Sequence, residues 1–182
     1  MFVLLLSNTI FMRYLRFLSY LCSWKCLLTR LYMKEIIPIA CDHAGFELKE
    51  KVKQYLEDKG FEVKDFGTYT SDSVDYPDMI HPLASAIEHG DYPLGIILCG
   101  SGNGAQMTAN HHHNVRAALC WNTELAKLAR QHNDANILSL PGRFISNELA
   151  WEMVQVFLNT EFEGGRHERR IRKIEPIDNN HD

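Results

Sequence analysis

Cys99 closes the apolar run "LGIILC", and the glycine-rich turn "GSGNG" follows it directly. A strand–loop–helix turn of this kind leaves backbone N–H groups free at the helix start, where aligned amides and the helix dipole attract anions. The same field lowers a thiol pKa from about 8.5 toward neutrality, so Cys99 is expected to ionise readily. A thiolate beside an anion hole can act as a nucleophile. It can equally remove a carbon-bound proton while the hole holds the resulting enediolate. The turn is not the dinucleotide fingerprint, whose third glycine falls one position later, and it lacks the Gly-Lys-Ser/Thr of a Walker loop. The plain alternative is a buried strand-end cysteine beside a packing turn.

Three other stretches carry chemistry-bearing residues. In "ACDHAG", Asp42 and His43 lie between a strand and a helix and can face one crevice; Asp42 can equally serve as a helix cap. In "RQHNDAN", His132 has a side chain whose ordinary pKa near 6.5 suits an acid at neutral pH. With Asn133 it can also read as a helix C-cap. The tail "GGRHERRIRKI" spaces Arg166 and Arg170 four apart, on one face of a helix. Two guanidiniums so placed suit a phosphate, and a solvated basic face is the bland alternative. "HHH", His111 to His113, is not expected to hold a metal: adjacent side chains diverge, and no Cys or carboxylate at ligand spacing accompanies them. Met107, Met153 and the tryptophans read as core.

The elements that must position these residues alternate. "IIPIAC", "FEVKDFG", "LGIILC", "VRAALC" and "ANILSL" read as five strands. Between and after them, "FELKEKVKQYLEDKG", "MIHPLASAIEHG", "AQMTANHH", "NTELAKLARQHN" and "SNELAWEMVQVFLNT" read as helices. Pro82 is expected to restrict where the second begins, Asn122 or Thr123 caps the fourth, and Ser146 caps the fifth. The alternation predicts a three-layer α/β/α fold with a five-stranded parallel, Rossmann-like sheet. Ligands in such folds sit beyond the carboxyl ends of the strands. Asp42, His43, Cys99 to Gly104, and also His132 and Asn133 before the fifth strand, are expected there.

The 182 residues suit one domain. A net charge of −4 gives no general case for nucleic acid or an anionic membrane as partner. The five cysteines form no CxxC pair, which favours free thiols in a reducing, cytoplasmic setting. Residues 1–32 differ from the rest. They hold Arg13, Arg16, Lys25 and Arg30 and no acid, leaving 15 bases against 23 acids in the remainder. Their apolar runs are too short for a spanning helix, and they lack the layout of a signal peptide. They are expected to be an upstream extension outside the fold, with residues 33–182 forming the domain; an interfacial basic helix is the alternative.

Taken together, "IACDHAGFELKE", "VDYPD", "GIILCGSGNG", "RQHNDANIL" and "FEGGRHERR" occur in the order found in the type B ribose-5-phosphate isomerases, and residues 35–175 resemble that family. The resemblance leaves out the first 32 residues. It implies a cofactor-free and metal-free aldose–ketose isomerase of the non-oxidative pentose phosphate pathway, working through an enediolate. One branch of the family uses a cysteine base at the end of the third strand, and Cys99 matches that branch. The resemblance further implies that the amides of Gly100, Ser101, Gly102, Asn103 and Gly104 and the Ser101 hydroxyl stabilise the enediolate. His132, with Asn133 beside it, would open the furanose ring. Asp42 would bind sugar hydroxyls, and Tyr76 would line the pocket. His43, Arg143, Arg166 and Arg170 would hold the phosphate. It implies a homodimer or dimer of dimers with sites shared between subunits. A six-carbon sugar phosphate as substrate, and a non-catalytic sugar-phosphate-binding subunit, remain as alternative readings.

Overall fold

The computed structural model describes residues 35–174; the expectation for residues 1–32 lies outside them. Strand β1 (Ile36–Cys41) leads through a tight 3-10 turn (His43–Gly45) into helix α1 (Phe46–Asp58). There follow β2 (Glu62–Asp65), α2 (Tyr76–Glu88), β3 (Gly95–Cys99), α3 (Asn103–Ala109), β4 (Ala117–Leu119), α4 (Thr123–Asn133), β5 (Ile137–Pro141), α5 (Asn147–Asn159) and α6 (Arg166–Ile171). The five strands form one sheet in the order β2-β1-β3-β5-β4, every pair parallel. The expected three-layer, Rossmann-like architecture is the one observed.

Side chains leave a strand alternately to its two faces, and the core divides accordingly. Ile37, Ile39, Cys41, Ile96 and Leu98 pack with α1, α4 and α5. Ala40, Ile97 and Cys99 pack with α2 and α3. Every residue of β3 is buried, as its unbroken apolar run requires of a central parallel strand. Full burial of Ile96, Ile97 and Leu98 stabilises the sheet by roughly 1.5–3 kcal/mol each. Two caps match the sequence: Asn122 and Ser146 accept the amides of Leu125 and Leu149.

Several expectations change. Helix α2 starts at Tyr76, with Pro77 in its first turn and Pro82 inside it. Pro77 occupies a position where a missing N–H costs little. Pro82 is exposed, where water can replace the helix hydrogen bond that its ring removes. Met153 is core, but Met107 and Trp121 are 63% and 56% exposed. The inner face of the short α3 is filled by Ala105, Thr108 and Ala109, so Met107 points outward.

The correction that matters most concerns His132 and Asn133. Cys41 and Cys99 end their strands at the carboxyl edge of the sheet, whereas α4 runs back to the amino edge before β5 begins. Ile137 pairs with Gly95, the first residue of β3, and the Gly95 amide donates to the carbonyl of Asn136. His132 and Asn133 therefore sit at the opposite edge from Cys99, because a residue that precedes a parallel strand lies at the strand's amino end.

Candidate active site

Strand order reverses direction between β1 and β3: the chain passes from β1 outward to β2, then crosses back to β3 on the other side. The crevice at such a switch point opens beyond the strand ends. Here it has a volume of about 350 Å³ and is lined by Asp42, His43, Cys99, Gly100, Ser101 and Arg143, with Ala44 and Phe144.

Asp42 links the two strands. Its backbone amide donates to the carbonyl of Leu98. Its Oδ1 accepts the Gly45 amide at 2.9 Å, and its Oδ2 accepts the Cys99 thiol at 3.0 Å. The cap and the functional position are thus one side chain. Gly45 makes the approach feasible, since a Cβ there would meet the backbone carbon and oxygen of Leu98 at 2.8 Å. His43 Nδ1 accepts the Val74 amide at 3.4 Å, which leaves the ring proton on Nε2, a donor for a ligand oxygen.

The glycine turn is shaped by close approaches. Gly102 is left-handed at φ 78°, and its carbonyl accepts the buried Ser139 hydroxyl at 3.0 Å. A Cβ on Gly104 would meet the Tyr76 ring at 2.8 Å, so Tyr76 lies against the turn. At Gly100 the Arg143 side chain lies alongside, its Nε 3.4 Å from where a Cβ would stand. Ser101 Oγ accepts the Asn103 amide at 3.4 Å. The amides of Gly102 and Ala105 are directed at the Cys99 sulfur; Ala105 was not among the residues singled out from sequence.

The expected depression of the Cys99 pKa is not what the crevice produces. Burial pushes the thiol up, Asp42 adds to this as hydrogen-bond acceptor and as negative charge, and the Gly102 and Ala105 amides do not offset them. Cys99 therefore rests as a thiol donating to a carboxylate. Cys41 and Cys120, buried away from the crevice, are pushed up to about 12 by burial and are inert by comparison.

The remaining predicted residues gather at the other edge. His132 stacks on His167, ring centroids 4.2 Å apart and planes 3° from parallel. Glu163 Oε2 lies 3.8 Å from His132 Nε2 and 3.9 Å from His167 Nε2. Arg166 Nε donates to His167 Nε2 at 3.2 Å, and Arg170 follows one turn on, exposed. Burial and the positive charges of His132, Arg166 and Arg170 push the His167 pKa down. Although His132, Glu163 and His167 bring donor atoms within 4.8 Å of one another, they suit a metal poorly. Parallel rings do not converge on one ion, and a guanidinium occupies the His167 nitrogen. The cluster places two guanidiniums beside a stacked histidine pair and one carboxylate. His167 and Glu163 were missed as partners of His132, although His167 lies in the quoted "GGRHERR". Asn133 lines a separate cavity of about 600 Å³ along β4, which contains no nucleophile.

Comparison with known proteins shows which family the chain resembles. The family model described as Ribose/Galactose Isomerase matches residues 37–174. Ribose-5-phosphate isomerase B of Escherichia coli is 39% identical over 142 residues, covering 78% of this chain and 95% of the relative. Among solved structures, a ribose 5-phosphate isomerase from Thermotoga maritima is 54% identical with a TM-score of 0.78, covering 80% of this chain and 100% of that one. Ribose-5-phosphate isomerase B of Mycoplasma genitalium, solved with bound ribulose 5-phosphate, is 43% identical with a TM-score of 0.74, covering 78% and 95%.

Proposed function

The chain belongs to the ribose/galactose isomerase family, and from that premise we propose that it interconverts ribose 5-phosphate and ribulose 5-phosphate through an enediolate with Cys99 as the base. The observation that carries the assignment is the Cys99 thiol set against the Asp42 carboxylate in a crevice that also holds an exposed guanidinium, Arg143. Once ionised, Cys99 takes the proton from C2 of the open-chain aldose. The C2–H electron pair becomes the C1=C2 double bond, and the C1 oxygen takes up negative charge. The Ser101 hydroxyl and the amides of the turn at residues 100–104 that do not face the sulfur are the donors available to that charge. The O2 proton passes to O1, and return of the proton from Cys99 to C1 then gives the ketose, with a hydroxyl at C1 and a carbonyl at C2. At rest Asp42 accepts a hydrogen bond from the Cys99 thiol, and it is the carboxylate available to sugar hydroxyls. Binding of the remote phosphate holds the reacting carbons in place.

The site is complete only in an assembly. We read the protein as a dimer, or a dimer of dimers, in which His132 of the partner subunit protonates the ring oxygen and the partner's Arg166 and Arg170 join His43 and Arg143 at the phosphate. Two facts support this. Cys99 and His132 stand at opposite edges of one sheet. In addition, Phe144 and Trp121, 75% and 56% exposed, flank an open groove beside Ser101, an apolar surface suited to burial by a second copy. Cys41, Cys99 and Cys120 are all free, and no described helix is long and apolar enough to cross a membrane; both fit an enzyme of the cytoplasmic pentose phosphate pathway.

The test is turnover of ribose 5-phosphate by wild type beside Cys99→Ala, in EDTA. Turnover in the wild type and near-total loss in the variant is the expected result. An active variant would remove Cys99 as the base. An inactive wild type that accepts a hexose 6-phosphate would move the substrate to six carbons.

A further inference from the structure

In the histidine triplet that the sequence left without a role, the His112 ring lies between a carboxylate and a second imidazole. His112 Nδ1 lies 2.8 Å from Glu88 Oε2, and its Nε2 lies 2.9 Å from His81 Nδ1. Glu88 also accepts the His113 amide, through Oε1 at 3.1 Å. A carboxylate can only accept, so His112 carries its proton on Nδ1 and turns a lone pair on Nε2 toward His81. His81 belongs to α2, and His112 to the turn after α3. The two rings are inclined at 54° with centroids 5.1 Å apart.

We propose that His81 and His112 form a two-histidine clamp for a late first-row divalent cation of the nickel or copper type, with Glu88 orienting His112 from behind. An ion bonded to both nitrogens at about 2.0–2.1 Å subtends an angle near 90° across a 2.9 Å gap once each ring turns by about 45°, since the nitrogens of the hydrogen-bonded pair face along the line between them. That is the cis angle of a tetragonal or octahedral ion. A tetrahedral ion would need the nitrogens about 3.3 Å apart. Binding exchanges one histidine–histidine hydrogen bond and two metal-bound waters for two metal–nitrogen bonds. His81 shifts its proton to Nε2, which solvent allows because the residue is exposed. The carboxylate behind His112 fixes the ring's tautomer and raises its basicity, as carboxylates behind metal-bound imidazoles do. The partners that the local spacing lacks are supplied through space: the carboxylate is 24 residues away and the second imidazole 31. Neither histidine lines the Cys99 crevice. The bound ion would clamp α2 to the α3–β4 turn and add to stability rather than to catalysis.

The experiment uses the untagged full chain and Ni(II) as the probe, read by calorimetric titration and by thermal melting; nickel avoids the oxidation of thiols that copper brings. One ion per clamp is expected, with a melting temperature that climbs with the logarithm of free nickel. His81→Gln and His112→Gln should each abolish both effects while melting as wild type without nickel. Glu88→Gln should weaken binding by roughly tenfold or more. His132→Gln should bind nickel unchanged. Absence of binding by wild type overturns the proposal, as does retention in His81→Gln or His112→Gln. Loss in His132→Gln alone would move the ion to the histidine pair beside Glu163 and overturn it equally.

Discussion

The Cys99 thiol donates to the Asp42 carboxylate at 3.0 Å, across the gap between the ends of β1 and β3. This pairing decides how the proposed base is stored. Burial and the neighbouring charge favour the neutral thiol, so its ionised fraction grows only above its ordinary range. Alkylation of Cys99 by iodoacetamide should follow an apparent pKa above about 8.5. In Asp42→Asn the charge is gone while an oxygen remains for the Gly45 amide. The alkylation profile should then move to lower pH, even as turnover falls through weaker sugar binding. Profiles that coincide would show that Asp42 does not control the thiol.

The separation of Cys99 from His132 leads to a mixing experiment. Cys99→Ala and His132→Ala should each be nearly inactive alone. After co-refolding, a two-fold symmetric hybrid has one site with both defects and one with neither. Equal mixing should restore about a quarter of wild-type turnover, since half the dimers are hybrids and half their sites are intact. Mixtures that stay inactive would indicate that each site is built from one chain.

Lys49 is fully buried, and its ammonium reaches Asp65 at 2.7 Å and the Thr68 carbonyl at 2.8 Å. Removing the acid leaves the buried cation with the Thr68 carbonyl and the more exposed Glu50 carboxylate, at 3.2 Å. Asp65→Ala should cost about 3–5 kcal/mol in urea unfolding, whereas Lys49→Met, which removes the buried charge itself, should cost less. For the Asp65 carboxyl, burial works upward, but the hydrogen bonds from Lys49 and Gly67 and the Lys49 charge prevail and hold it below the usual carboxylate range. Its contribution is therefore full above the ordinary pKa of about 3.9 and is lost as pH falls through the lowered value. Unfolding of Asp65→Asn should show a flatter acid limb than wild type. Equal limbs would count against the pair.

Gly45→Ala places a methyl against the Leu98 backbone. Backbone cannot rotate away as a side chain can, so the variant should lose about 1–3 kcal/mol of stability. Its Cys99 should also alkylate at lower pH, because the turn that carries Asp42 must lift from β3. A variant as stable as wild type, with an unchanged alkylation profile, would argue against this close approach as the device that joins the two strands.

Much of the fold was legible because it depends on local pattern. The run "LGIILC" named the central strand, and Asn122 and Ser146 announced their helices. Tail, turn and strand-end residues were all recognisable as chemistry. What could not be read was whatever depends on which residues meet. His132 precedes its strand, and only the parallel register of β5 against β3 shows which edge that puts it on. The thiol pKa was expected from the local field of the turn, whereas a carboxylate 57 residues away and burial decide it. Lys49 sits at a helix position that reads as solvated, and only the arrival of Asp65 from β2 explains its burial.

The end of β3 and the end of β5 are stitched together: the Gly142 amide donates to the Cys99 carbonyl at 2.8 Å, and the Arg143 amide to the Gly100 carbonyl at 3.0 Å. The thiol and the guanidinium thus stand on one rigid frame, like the fixed jaws of a gauge. Under the proposed roles of Cys99 and Arg143, a sugar phosphate that spans them is measured along its carbon chain, and one carbon more is not admitted by sliding one jaw. Any shift in preferred chain length must come from Arg143 refolding its own side chain or from cations carried by another part of the assembly.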